Sequence, residues 1–288
     1  MKIDKKTLER FKQIRKNTIA QAKKLNNKKG KIKVIGISGS ARSRFDMAGE
    51  DSNSEFLLNE CLKELKNLGA NTELIPLRDY NIKYCKACYS TTNTQCHFYC
   101  SCYGKGTPQE DDMTKILYDK VLEADIIIFA TPVNNFKISS LMALFLDRCI
   151  SLDGSLEPAD PKATKNVKLN IEHTKFIEKN VDQKIEGSGF LKRFRGKVAG
   201  IIVTGHEEGA SMVISQLFMT LNNFGMIFPP FSNMYAISSI SFPTYKDKSI
   251  VTSPAFIKEA KQLANNTFNT AELLRKNKIN WQYDYTSN

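Results

Sequence analysis

Lys33-Val34-Ile35-Gly36-Ile37-Ser38-Gly39-Ser40-Ala41-Arg42 decides the reading of this chain. From Ile32 to Ile37 the residues are mostly β-branched and do not alternate with polar ones. Such a run reads as a strand buried on both faces. It ends in Ser38-Gly39-Ser40, small residues that turn the chain and leave backbone amides open. From Asn53 to Leu68, Leu57, Leu58, Cys61, Leu62, Leu65 and Leu68 fall on one helical face that Gly69 closes. The unit is therefore strand, small-residue turn, helix.

The same rhythm continues along the chain. Strands are expected at 72–77, 125–131, 198–204 and 226–228. The helices between them carry Met113, Ile116, Leu117, Val121 and Ala124, then Met142, Phe145, Leu146 and Cys149, then Ile214, Leu217, Phe218 and Leu221. A terminal helix opens at Ser253-Pro254, with Phe256, Ala260, Leu263, Ala264, Ala271 and Leu274 inward. Strands that alternate with helices predict an α/β fold with right-handed crossovers and a five-stranded parallel sheet.

Composition bounds the class. Of 288 residues, 41% are hydrophobic and 25% charged, a globular balance that excludes disordered, collagen-like and disulfide-scaffold chains. The longest apolar run, Ile126 to Ala130, is too short to span a bilayer. The lysine-rich N-terminus lacks the apolar stretch of a secretory signal, so a cytoplasmic location is expected. The seven cysteines are then expected as free thiols, a redox site or a metal site rather than disulfides. The net charge of +12 is local: residues 1–33 hold 13 Lys/Arg against Asp4 and Glu9, and the remainder holds 29 against 28. A near-neutral body argues against a nucleic-acid interface.

Residues 1–30 are expected as a basic helical arm on a domain of 31–288. Leu8, Phe11, Thr18, Ala22 and Leu25 give the arm a weak apolar face for the body or a second subunit. Two segments break the strand–helix rhythm: a Cys-rich loop at 84–109 and a long insert at 152–195. A connection as long as the insert is normally functional or an oligomer contact.

Three loops carry candidate chemistry. The first offers open amides, the hydroxyls of Ser38 and Ser40, and the charge of Arg42, and a helix N-terminus follows it. That combination cradles a phosphate. It lacks G-x-G-x-x-G spacing and the Walker lysine, and suits a terminal phosphomonoester such as that of flavin mononucleotide. Thr131 to Phe136 supplies amides and an aromatic ring, and Thr204 to Gly209 supplies glycines. With strand order 2-1-3-4-5, these loops meet at the carboxyl edge of the sheet.

On Gly39-Ser40-Ala41-Arg42, Asp111-Asp112-Met113, Thr131-Pro132-Val133 with Ser139 to Arg148, and Thr204-Gly205 with Gly225-Met226, the chain resembles the NAD(P)H-dependent FMN reductases of the flavodoxin-like proteins. The resemblance implies a flavodoxin-like three-layer sandwich and a noncovalent FMN. It also implies NAD(P)H as hydride donor, an acceptor still to be identified, and a homo-oligomer. By motif position, Ser40, Arg42, Asn53 and Ser54 would hold phosphate. Pro132, Val133, Asn134, Asn135 and Phe136 would contact the flavin ring, and Thr204, Gly205 and His206 would border it. Two departures stand out: Ser43 to Ser52 is longer than usual, and Asn134 stands where relatives often have Tyr.

Cys85, Cys88, Cys96, Cys100 and Cys102, with His97 among them, form a candidate metal set. Some relatives, called iron–sulfur flavoproteins, carry a compact cysteine motif in this region. That resemblance implies a 4Fe-4S cluster, and zinc is the other option. Thr91 stands where a third close cysteine would be expected. Scattered, metal-free cysteines are the plain alternative, and Cys61 and Cys149 read as core. The rival to a reductase is a flavodoxin-like or iron–sulfur electron carrier that does not itself oxidise nicotinamide.

Overall fold

The computed structural model describes residues 3–47, 49–88, 96–205, 209–238, 247–277, 279 and 281. Five parallel strands form the sheet: β1 (Lys33–Ser38), β2 (Asn71–Pro76), β3 (Ile126–Asn134), β4 (Val198–Gly205) and β5 (Asn233–Ile237). Their order is β2-β1-β3-β4-β5, which is 2-1-3-4-5, with a two-residue antiparallel strand at Lys137–Ile138 added on β3. The helices are α1 (Lys5–Asn26), α2 (Asn53–Asn67), α3 (Tyr118–Glu123, entered through a wider turn at Met113–Leu117), α4 (Ser140–Cys149), α5 (Val167–Asn180), α6 (Ala210–Asn223), α7 (Asp247–Val251) and α8 (Pro254–Lys276). None of the described helices is long and apolar enough to cross a membrane.

Strand periodicity sorts the core into two layers. Val34, Ile126, Ile128, Ala130 and Ile202 point to one face and pack with Leu57, Leu58 and Leu62 of α2 and Leu263 and Ala264 of α8. Their neighbours Ile35, Ile37, Ile127, Phe129, Ala199, Ile201 and Val203 point to the other face. There they meet Leu117, Tyr118, Met142, Phe145, Leu217 and Leu221. Gly36 sets the closest approach on the first face: a Cβ there would lie 2.9 Å from the methyls of Leu58 and Leu62.

The last strand lies further along than the sequence suggests. Ile227 makes only an isolated bridge to Val198, and pairing with β4 resumes at Asn233. Pro229 and Pro230 intervene; proline has no N–H to give a ladder. Phe231, with φ of 55°, turns the chain back into register.

The insert is also more regular than its hydropathy shows. Helix α5 buries Asn170, His173 and Ile177, a stripe with the right spacing but polar members. Its partner is the arm. Asp4 caps α1 by accepting from Thr7 N at 2.8 Å, and the helix buries Phe11, Ile14, Thr18 and Ala22. The Phe11 ring stacks on His173 at 4.5 Å and meets Phe176 at 5.6 Å. Arg15 Nε donates to Ser188 O at 3.1 Å, and Asn17 donates to Glu157 at 3.0 Å. A Cβ at Gly187 would strike Thr18 O at 2.6 Å, so glycine lets the two segments touch.

His173 is 4% exposed, and burial pushes its imidazole down to about 4, helped by the charges of His97 and Arg10. The folded pKa lies below the unfolded value near 6.5, so the unfolded chain binds the proton first. Stability contributed by the neutral ring is therefore full above about pH 6.5 and falls as pH drops toward 4, by up to about 3 kcal/mol. Urea midpoints measured at pH 7.5 and 4.5 should show that loss, and His173→Phe should reduce it, the remainder coming in part from His97, whose ring burial also holds down. An unchanged pH slope in the variant would refute the assignment.

Candidate functional site

At the carboxyl edge of the sheet a cleft of about 330 Å³ opens between the loops after β1, β3 and β4. Ser40, Ala41, Arg42, Ser52 and Asn53 form one wall. Pro132, Val133 and Asn134 form the second, and Thr204 and Gly205 the floor with Ala236 and Ser238 at the end of β5. Ile250 and Val251 of α7 close the remaining side.

The first wall is built around a buried carboxylate. Glu55, in the first turn of α2, accepts Ser38 Oγ at 2.7 Å and both terminal nitrogens of Arg78, at 2.5 and 3.0 Å. This fork fixes α2 to the end of β1. Gly39 N donates to Ala130 O at 2.8 Å, and Gly39 O accepts from Ser139 Oγ at 2.6 Å, so the loop is tied to β3 and to the cap of α4. Ser40 Oγ accepts from Arg42 N at 3.2 Å. Ser52 caps α2, its hydroxyl 3.4 Å from Glu55 N and 2.9 Å from Ser54 Oγ. A helix N-terminus and the Arg42 cation thus face the same space, an arrangement that favours an anion.

The long stretch between Arg42 and Asn53 does not disturb this wall. Arg44 pairs with Asp51 through both oxygens, closing the excursion so that its two ends return to the cleft. The tip carries Phe45 and Met47, each fully in solvent.

Eight of the sequence-derived candidates line the cleft: Ser40, Arg42, Asn53, Pro132, Val133, Asn134, Thr204 and Gly205. Four are placed elsewhere. Ser38 is still part of β1 and turns under α2 toward Glu55. Ser54 is fully buried on the capping Ser52. Asn135 and Phe136, with φ of 52° and 61°, are the two-residue turn between Asn134 and Lys137. Successive positive φ values of this kind make a tight hairpin. Their side chains are exposed at the rim rather than set in the wall. His206 lies outside the described residues. Ala236 and Ser238 escape the sequence reading because their strand lies some seven residues beyond the expected one, with the polar–apolar alternation Asn233, Met234, Tyr235, Ala236 as its signal, and Ile250 and Val251 belong to the short helix α7, which the sequence reading does not include.

The Cys-rich loop hangs from a separate buried ion pair. Asp111 and Arg148 are almost wholly shielded and bonded to each other. Asp111 also accepts from Lys83 N at 2.9 Å and Thr114 N at 3.1 Å, and Arg148 donates to Lys83 O at 2.9 Å. Arg148 lies over the Tyr103 ring at 4.4 Å. Both ends of the loop are thereby pinned to α4.

Within the loop all five cysteines are free thiols. Cys96 and Cys100 are buried, and burial pushes the Cys96 thiol up to about 12. Cys102 Sγ donates to Cys88 Sγ at 3.4 Å, and that hydrogen bond lowers the Cys88 pKa. His97 Nδ1 is 2.7 Å from Ser101 Oγ, and burial holds its ring down at about 4. A 4Fe-4S cluster takes four thiolates. Among the described residues no three His, Cys, Asp or Glu side chains gather around one ion position, although Cys102 also shares a hydrogen bond with Cys100, and Cys85, Cys96 and Cys100 lie close enough to act on Cys88. Thr91 lies outside the described residues. Cys61 and Cys149 are fully buried core residues.

Comparison with known proteins agrees with this architecture. Residues 32–166 match the family described as NADPH-dependent FMN reductase. An iron-sulfur flavoprotein of Archaeoglobus fulgidus is 32% identical over 117 residues, which are 41% of this chain and 48% of the relative. Another from the same organism is 27% identical over 183 residues, 63% of this chain and 70% of its own length. The chain thus spans about half the length of the first of these relatives. The solved structure of RosB with bound 8-demethyl-8-formylriboflavin-5'-phosphate superposes with a TM-score of 0.60 at 20% identity, covering 85% of this chain and 81% of that one. Over residues 32–166 the chain is similar to the NADPH-dependent FMN reductase family, and its fold is flavodoxin-like.

Proposed function

We propose that this chain is an FMN-dependent oxidoreductase in which NAD(P)H reduces the bound flavin and the electrons pass to a small-molecule or protein acceptor. The observation that carries the reading is the cleft itself: phosphate donors on one wall and a Pro-Val-Asn ring edge on the other face one space at the carboxyl edge of the sheet. The cleft suits the group. Ser40, Arg42 and the amide end of α2 with Asn53 would hold the phosphate, and Pro132, Val133 and Asn134 would line the ring. Thr204 and Gly205 lie beneath, where a Cβ on Gly205 would come within 2.9 Å of Val133. Bound FMN supplies hydride acceptance; the chain supplies position and access.

The assembly proposed is a homo-oligomer, with the exposed Phe45 and Met47 on the excursion between Arg42 and Asn53 as apolar side chains for a second copy to cover. A reducing, cytoplasmic setting suits seven free thiols. The names of the curated relatives favour a second reading, an iron–sulfur electron carrier.

Purified protein mixed anaerobically with NADH or NADPH should lose its oxidised-flavin absorbance. Bleaching by dithionite but by neither nicotinamide, with stoichiometric iron, would overturn the reductase reading in favour of the carrier. Arg42→Ala should weaken FMN binding about ten- to hundredfold, the worth of a charge-assisted hydrogen bond. Equilibrium dialysis of FMN checks this, and unchanged affinity would remove Arg42 from the site. Mild oxidation of the apo-thiols with diamide should join Cys88 to Cys102 before any other pair. A peptide map that shows another first disulfide would contradict the pairing described above.

A further inference from the structure

At the opposite, amino edge of the sheet, where β3 and β4 begin, lies a second cavity of about 350 Å³. Its described wall holds six basic side chains, Lys28, Lys29, Arg193, Arg195, Lys197 and Arg275, against one acid, Asp125. Two of the arginines are engaged elsewhere: Arg193 by Ser155 and Gln21, and Arg195 by Glu186 and Asn26. Lys28, Lys197 and Arg275 gather around Asp125, and Arg275 also donates to Gly30 O at 2.5 Å and Lys31 O at 3.2 Å.

These three cations crowd a small volume. Lys197 is 4% exposed, and its ammonium donates to Leu122 O at 2.8 Å and Ala124 O at 2.6 Å. Lys28 donates to Ala124 O at 2.5 Å and Glu123 O at 3.1 Å, and lies 3.5 Å from Asp125. Arg275 donates to Asp125 at 2.7 Å, and its buried Nε has no hydrogen-bond partner. Capping the last carbonyls of α3 calls for one cation, yet Ala124 O takes two ammonium groups. Burial and mutual repulsion hold the Lys197 ammonium well below its ordinary range, and burial lowers that of Lys28. With Lys197 pushed toward its neutral amine, Lys28, Lys29 and Arg275 set against Asp125 still leave an excess of positive charge in a half-closed space, which an anion would balance. Trp281 borders the same cavity with a flat aromatic face.

We propose that this cavity is an anion site that takes the phosphate group of a small molecule, held by Lys28, Lys197 and Arg275 beside Trp281. The eight residues of β4 separate it from the cleft by about 25 Å at the usual rise of a strand. Its ligand is therefore an effector or structural anion and not a partner in hydride transfer. The site is independent of the function proposed for the cleft.

Trp281 is the single tryptophan of the chain, so its fluorescence reports on this cavity. The full-length protein, as purified with any flavin it retains, is titrated with inorganic phosphate, pyrophosphate and adenosine monophosphate at constant ionic strength. A saturable change in Trp281 emission, matched by calorimetry, is expected. Binding of the adenosine compound more tightly than phosphate would assign a ring-bearing ligand, and equal affinity would assign the phosphate group alone. Lys197→Met and Lys28→Gln should each weaken binding about tenfold or more, while the exposed Lys16→Gln should not. Flavin absorbance, read on the same samples, should stay unchanged in all three variants. No saturable response to any of the three probes up to about 20 mM, a concentration above any physiologically useful affinity, overturns the proposal. So does a response that survives both lysine substitutions. If Lys197→Met does not fold, Lys28→Gln carries the comparison.

Discussion

Burial of the sheet on both faces is the constraint from which the rest follows. Each central strand sends alternate residues into two separate cores, so neither face can be opened to form a site. Chemistry is left to the strand ends. Parallel strands bring the loops after β1, β3 and β4 to one edge, and the chain places its small, hydroxylic and amide residues there. The opposite edge receives the starts of the strands, and there the chain gathers buried cations. The two cavities are products of the same topology and differ in charge because different loops cap the two edges.

Two ion pairs do the local fixing. Glu55 with Arg78 sets the angle at which α2 presents its amide end, and Asp111 with Arg148 holds both ends of the cysteine loop against α4. Each carboxylate also takes a hydrogen bond from a third group, Ser38 for Glu55 and Lys83 N for Asp111. A buried pair supported in this way is costly to break from one side, because the remaining charge stays buried without its partner.

The strands and most of the cleft were readable because their signals are local. β1, β3 and β4 are unbroken apolar runs, and each ends in small or polar residues that can only be a turn; Ser40, Arg42, Pro132, Val133, Asn134, Thr204 and Gly205 follow from that punctuation. Asn53 was readable as the start of an amphipathic helix. What escaped depended on tertiary detail. Ser38 and Ser40 look alike in sequence, and a one-residue difference in where β1 ends puts one in the core and the other in the cleft. Asn135 and Phe136 became a hairpin because Lys137 and Ile138 fold back on β3, a pairing that two residues cannot announce. Helix α5 was missed because its inward stripe uses Asn170, whose amide donates to Thr164 O, and His173, whose ring stacks on Phe11 of α1. β5 was misplaced because Ile227 and Phe228 look more strand-like than Asn233 to Ile237.

The contact between α1 and the insert has a consequence for the order of assembly. Arg15 and Ser188 are 173 residues apart, and Asn17 and Glu157 are 140 apart. During synthesis the arm leaves the ribosome before the insert, so its apolar face lacks its partner in the insert until the chain has been extended past that segment. For that interval Phe11 and Ile14 ride on a helix whose lysines keep it soluble and mutually repelled from other nascent copies. The basic composition of the first thirty residues thus serves a segment that is made early and docked late, and the closure of so long a loop ranks among the slower events in folding this chain.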